Sequence, residues 1–107
     1  MRSGIRCIQV LTFGASLACA GSIAQPNGEE IYKQKCLNCH GVTGLANSGV
    51  GKAMKVKPAT DPDVKKMSEA EMIDAVRNGA GKMEAYNGIL TEAQIRTSTD
   101  YFRRFVK

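Results

Sequence analysis

The stretch Cys36-Leu37-Asn38-Cys39-His40 determines the interpretation of the whole chain. Its two cysteines lie about one helical turn apart, so their thiols can reach the two vinyl groups on one edge of a porphyrin and form thioethers. The histidine that follows can then offer an imidazole nitrogen to the iron. The spacing therefore predicts one covalent haem c, attached through Cys36 and Cys39, with His40 as the proximal ligand.

Other interpretations of this stretch agree less well with the chain. A structural zinc site needs four ligands, and His40 is the only histidine in the sequence. A thioredoxin-like redox pair needs strand–helix–strand patterning around it, and the sequence shows no convincing strand. A disulfide across two intervening residues would be strained and would leave the histidine unexplained. The haem interpretation accounts for all three side chains.

Residues 1–24 are predicted to be a secretory signal peptide rather than part of the fold. Arg2 and Arg6 give a positive start, the segment 7–20 is mostly apolar or small, and Ser22-Ile23-Ala24 suits cleavage. The apolar run is short for a membrane span, which needs roughly 20 residues. We expect export to the periplasm and no stable membrane insertion after cleavage; an uncleaved anchor is the alternative.

Residues 25–107 are long enough for a single small domain, in which a large cofactor would supplement a limited core. Removal of the leader takes Arg2 and Arg6 from the 15 basic residues and leaves 13 against 10 acidic ones, a net charge of +3. This charge favours redox protein partners with acidic docking surfaces. Nucleic acid is not expected as a partner, because no basic helix with interleaved aromatic residues is present. We expect a monomer.

Three segments carry helix-start signals. Each has a capping residue with a glutamate or glutamine three positions later. The predicted helices run over about Gly28–Cys36, Glu69–Arg77 and Glu92–Val106. Between them lies a long glycine-rich loop from His40 to Met67, with a short helical turn after Asp61-Pro62.

The first and last helices are predicted to cross. Gly28 and Tyr32 lie four residues apart on one face of the first helix, and we expect them to contact Tyr101 and Phe102 of the last helix. A glycine at this position would let the two helix backbones approach closely.

The ligand opposite His40 is predicted to be a methionine, since the chain has no second histidine. Met67 and Met72 are explained as packing residues at a helix start. Met83 follows the flexible stretch 78–82, which lets the backbone approach a flat ring. Met83 is therefore the favoured ligand, and Met54, in the glycine-rich loop, is the alternative.

These motifs, taken in order, resemble small bacterial class I cytochromes c. The resemblance rests on the haem motif with Gly41, the stretch Asn78-Gly79-Ala80-Gly81-Lys82-Met83-Glu84-Ala85-Tyr86, and the segments 90–95 and 100–102. It implies an all-α fold in which three main helices and long loops surround one covalent haem, with the first and last helices crossing. It also implies a proline carbonyl that orients His40, for which Pro58 is the candidate. The family usually has proline after the methionine, where this chain has Glu84.

The expected function is single-electron transfer between larger redox complexes, by an electron carrier rather than an enzyme. A thioether ligand such as Met83 favours Fe(II) and raises the potential. Six lysines flank the haem-binding segments and are predicted to form part of a docking face: Lys33, Lys35, Lys52, Lys55, Lys57 and Lys82. The alternatives are a haem protein with an open sixth position, peroxidase-like or gas-binding, and a cytochrome subunit held on a larger oxidoreductase.

Overall fold

The computed structural model describes residues 27–107, so the predicted signal peptide lies outside the described residues. A first helical stretch consists of α1, a π-helical segment and α2, and four further helices follow it. Their bounds are α1 Gly28–Ile31, π-helix Tyr32–Cys36, α2 Leu37–His40, α3 Gly49–Ala53, α4 Pro62–Lys65, α5 Glu69–Asn78 and α6 Glu92–Arg103. Residues 27–107 contain two isolated β-bridges and no strand. The all-α fold is confirmed.

The three helix-start signals are confirmed in atomic detail. The Asn27 side chain accepts a hydrogen bond from the Glu30 backbone N–H at 3.2 Å. Complete capping boxes begin α5 at Ser68 and α6 at Thr91. Each cap satisfies N–H groups that have no partner inside the helix, which explains why local sequence sufficed to place these starts.

The helix ends differ more from the prediction. The first helical stretch does not end at Cys36 but continues to His40, because Leu37 N–H bonds to the Tyr32 carbonyl in a π-type turn. The last helix ends at Arg103 rather than Val106. Helix α3, capped by Ser48, lies in the region predicted as loop.

Helices α1 and α6 cross closely, as predicted. A Cβ atom on Gly28 would overlap the backbone carbonyl of Thr97. Gly28 thus faces the α6 backbone at Thr97, one turn from the predicted contact. The Tyr32 ring makes the aromatic contacts, with centroids 5.2 Å from Tyr101 and 6.3 Å from Phe102.

The apolar core is small and lies between α1, α5 and α6. Its buried members include Ile31, Tyr32, Ile73 and Ile95, and the last has no exposed surface. Four large apolar side chains are exposed instead: Val42, Leu45, Val50 and Ile89. Within residues 27–107, no helix has the length and apolar character needed to cross a membrane.

Candidate haem-binding site

The two cysteines of the motif sit on consecutive parts of one helical stretch. Cys36 ends the π-helical segment and Cys39 lies in α2, and both are free thiols with partly buried side chains. Burial raises the pKa of Cys36 to about 11, with a further contribution from Cys39. Neither cysteine is in a disulfide, so both thiols are free to form thioether bonds. A π-turn inside a helix is often found at functional sites.

His40 ends α2 with its imidazole largely enclosed. Burial lowers the pKa of His40, which keeps the ring neutral and so able to bind a metal. Its Nδ1 atom is buried and has no hydrogen-bond partner within residues 27–107. A buried ring nitrogen without a hydrogen-bond partner lowers the stability of the folded protein. The imidazole is therefore better explained as a ligand to a bound group than as an ordinary core residue.

The expected proline contact to His40 is not present. The Pro58 carbonyl accepts a hydrogen bond from the Asp61 N–H at 2.9 Å, as part of the turn before α4. The ring of His40 is instead held by Phe102, edge to face, with centroids 5.1 Å apart. The His40 Nδ1 atom has no hydrogen-bond partner within residues 27–107, so the predicted contact with the Pro58 carbonyl is not made in this structure.

Three hydrogen bonds fix the backbone that carries His40. The buried Tyr32 hydroxyl donates to the Gly41 carbonyl at 2.6 Å. The Ser48 hydroxyl donates to the Asn38 carbonyl at 2.7 Å, and Ala46 N–H bonds to the His40 carbonyl at 2.8 Å. These bonds tie the haem motif to the π-helical segment and to the loop that follows it.

Met83 lies in the segment between α5 and α6 and is half-buried. Its N–H and carbonyl pair with the carbonyl and N–H of Ala80, at 2.8 and 3.2 Å. Gly79, at φ +83°, packs against the Met83 carbonyl. The alternative ligand, Met54, caps the C-terminus of α3. Met83 as the axial ligand thus stays a prediction.

Sequence reasoning missed Tyr86, which links this segment to the haem motif. Tyr86 is buried, and its hydroxyl donates to the Lys35 carbonyl at 3.1 Å. Burial, with the nearby Glu84 carboxylate, raises the pKa of Tyr86 to about 12. The partners are 51 residues apart, so no local pattern indicates the contact. An aromatic residue three positions after Met83 was the only signal.

The six lysines of the predicted docking face are all exposed. Two of them are paired: Lys33 with Glu29 at 2.9 Å, and Lys57 with Asp63 at 2.6 Å. The other four make no ion pair within residues 27–107: Lys35, Lys52, Lys55 and Lys82. The charges of these four side chains are therefore not neutralised by an ion pair within residues 27–107.

Comparison with known proteins identifies the family of this chain. The model of the family described as cytochrome c oxidase, cbb3-type, subunit III matches residues 24–101. The solved structure of KustC0563 c-type cytochrome has 25% sequence identity and a TM-score of 0.68, over 76% of this chain and 99% of that one. A tyrosine-to-phenylalanine mutant of Kustc0563, at 23% identity and TM-score 0.66 over 74% and 98% of the two chains, shares the fold. No curated protein matches.

An all-α fold whose first helical stretch ends in C-x-x-C-H is typical of small c-type cytochromes. The chain belongs to the class I cytochrome c family, within the group described as cytochrome c oxidase, cbb3-type, subunit III. Membership implies a haem c and a role in electron transfer.

Proposed function

We propose that this protein is a periplasmic electron carrier with a single haem c, attached by thioethers to Cys36 and Cys39 and ligated by His40 and Met83. One observation carries the proposal. Two free thiols and a buried imidazole with an unpartnered Nδ1 are brought together at the end of one helical stretch. This donor set suits covalent attachment plus one axial bond.

The chain's own residues would supply attachment and orientation. When bound, haem supplies the Fe(III)/Fe(II) couple. Cys36 and Cys39 fix the cofactor, and the Phe102 edge holds the His40 ring in place. Met83 would contribute a soft thioether ligand, which favours the reduced state. If His40 and Met83 both bind the iron, no coordination position would be left for a substrate, so the proposed activity is electron transfer without catalysis.

The exposed, unpaired lysines Lys35, Lys52, Lys55 and Lys82 would supply positive charge for docking to acidic redox partners. Charge complementarity of this kind mainly raises the rate of encounter and weakens with added salt. A face that combines positive charge with weak contacts suits a carrier that must bind and leave quickly.

The test is the visible absorption spectrum of the exported protein, oxidised and reduced, for wild type, Met83→Ala and Met54→Ala. We expect a low-spin c-type spectrum with the weak far-red band of an iron–methionine bond. The band should be lost in Met83→Ala and kept in Met54→Ala. The reverse pattern would make Met54 the ligand. A high-spin spectrum that shifts with carbon monoxide would indicate an open sixth position, and a protein without haem would refute the proposal.

A second candidate is a cytochrome subunit of a larger oxidoreductase, favoured by the family description as an oxidase subunit. The chain would then receive electrons within a stable complex rather than by diffusion. Mild extraction from membranes followed by size-exclusion chromatography separates the two functions. Elution as a free protein smaller than the 11.5 kDa full chain supports the carrier, since the predicted leader, residues 1–24, would have been removed. Co-elution with a large haem complex supports the subunit.

A further inference from the structure

The segment between α5 and α6, residues 79–91, carries Met83 and is fixed at its base by backbone contacts. Tyr86 N–H bonds to the Val76 carbonyl at 2.9 Å, and Asn87 N–H bonds to the Arg77 carbonyl at 3.0 Å. A Cβ atom on Gly79 would lie 2.9 Å from the Met83 carbonyl oxygen. These contacts fix the segment against α5. They do not fix its distance from the helical stretch that carries Cys36, Cys39 and His40.

One side chain bonds across to that helical stretch. The Tyr86 hydroxyl donates to the carbonyl of Lys35, the residue before Cys36, at 3.1 Å. Within residues 27–107, this is the one hydrogen bond that joins the segment 79–91 to the haem motif helix. The Tyr86 residue is 7% exposed, so its ring cannot swing out to solvent without opening the core.

The hydroxyl has a second acceptor within reach, the Glu84 carboxylate at 3.3 Å. A phenol carries one hydrogen, and the Lys35 carbonyl is the nearer of the two acceptors. Glu84 also occupies the position after Met83 at which the family usually has proline. The chain therefore lacks the ring that would stiffen this backbone, and the Tyr86 contact provides a restraint in its place.

We propose that Tyr86 is a positioning residue that holds the Met83 segment in register with the haem motif and so keeps the thioether opposite His40. The inference rests on the proposed His40/Met83 ligation. Its physical basis is that a ligand carried on a loop competes with external ligands for the iron. Greater conformational freedom of the loop weakens the loop's own ligand and so favours the external one.

The test measures imidazole binding to the oxidised holoprotein, followed by loss of the far-red iron–methionine band. Tyr86→Phe keeps the ring and removes only the hydroxyl. We expect imidazole to bind about tenfold more tightly to Tyr86→Phe than to wild type, which corresponds to ~1.4 kcal/mol and is the size of one hydrogen bond. The midpoint potential should fall, because the ferrous-favouring Met83 bond is broken for a larger fraction of the time.

Two controls make the result specific. Tyr101→Phe removes a hydroxyl that makes no hydrogen bond within residues 27–107, and it should keep wild-type imidazole affinity and potential. Glu84→Gln keeps Tyr86 bonded to the Lys35 carbonyl and should also behave as wild type. If Glu84→Gln matched Tyr86→Phe, the hydroxyl would act through Glu84, and the proposed link to Lys35 would be wrong.

The outcomes separate this inference from the proposed function. An iron–methionine band in wild type, with imidazole affinity in Tyr86→Phe within twofold of wild type, would overturn the positioning role alone. An equal rise in Tyr101→Phe would do the same, since a loss of generic stability would then explain it. Absence of the band in wild type would overturn the proposed ligation first, and the role of Tyr86 with it.

Discussion

Replacement of Tyr32 by phenylalanine should destabilise the protein through one hydrogen bond. Tyr32 is 1% exposed, and its hydroxyl donates to the buried Gly41 carbonyl at 2.6 Å. Tyr32→Phe removes this donor without changing the ring contacts to Tyr101, Phe102 and Phe105. The effect should therefore report the hydrogen bond and not the packing.

The expected loss of stability depends on the Gly41 carbonyl, which loses its hydrogen bond from the Tyr32 hydroxyl in this variant. A buried acceptor left without a partner costs about 1–3 kcal/mol. The Gly41 carbonyl retains one long bond, from Gly44 N–H at 3.3 Å, which places the loss at the lower end, about 1–2 kcal/mol. For a domain of this size, that corresponds to a fall in Tm of roughly 5–10 °C.

The assay is urea denaturation of the oxidised holoprotein, with Tyr101→Phe as the matched control. The two variants lose the same atom, but the Tyr101 ring is only half-buried and its hydroxyl has no partner within residues 27–107. We expect the control to stay within about 0.5 kcal/mol of wild type. Equal losses in the two variants, or a change of slope with urea in Tyr32→Phe alone, would refute the reasoning.

Three further predictions test the helix crossing, the buried phenols and the lysines. Gly28→Ala should lower the free energy of unfolding by about 1–3 kcal/mol, because the added methyl group overlaps the α6 backbone. A Cβ atom on Gly49 would have no neighbouring atom within 4 Å. Gly49→Ala should therefore leave the free energy of unfolding, measured in urea, little changed or raise it. The free energy of unfolding should fall as the pH rises from about 10 towards 12, because an unfolded tyrosine ionises near 10.0 whereas burial raises the pKa of Tyr86 to about 12. Tyr86→Phe should reduce the slope of this fall with pH. An unchanged slope in Tyr86→Phe would contradict the prediction. Lys82→Gln should slow oxidation of the reduced protein by ferricyanide about twofold to threefold at low salt. Lys33→Gln should slow this oxidation less, because the charge of Lys33 is already paired with Glu29. Equal effects of the two substitutions would argue against a docking face built from unpaired lysines.

The parts of the fold that depend on local sequence could be predicted, and those that depend on distant contacts could not. The starts at Asn27, Ser68 and Thr91 follow from side chains that bond to backbone within three residues. The π-helical segment has no such signature, because its i to i+5 bonding replaces a regular turn only within the folded protein. Helix α3 is five residues long and rich in glycine, so its propensity alone did not indicate a helix.

The candidate site divides in the same way. Cys36, Cys39 and His40 are defined by spacing within one helical stretch, and they lie together there. The surroundings of His40 depend on residues far along the chain. Proline at position 58 suggested an orienting carbonyl, but the His40 Nδ1 atom makes no hydrogen bond within residues 27–107. The contact that does hold the ring comes from Phe102, far along the chain in α6, at a centroid distance of 5.1 Å.

The packing around His40 explains why fold and ligand geometry should respond together to mutation. The Tyr32 ring lies at the crossing of α1 and α6, and its hydroxyl holds the backbone just after His40. Phe102, on α6, contacts both Tyr32 and the His40 ring. A shift of α6 would therefore reach the imidazole through a single side chain. Variants at the crossing, such as Gly28→Ala, should change the haem spectrum as well as stability. Tyr86 connects the Met83 segment to the same helical stretch, so both proposed axial ligands would take their positions from the helical stretch that carries the cysteines.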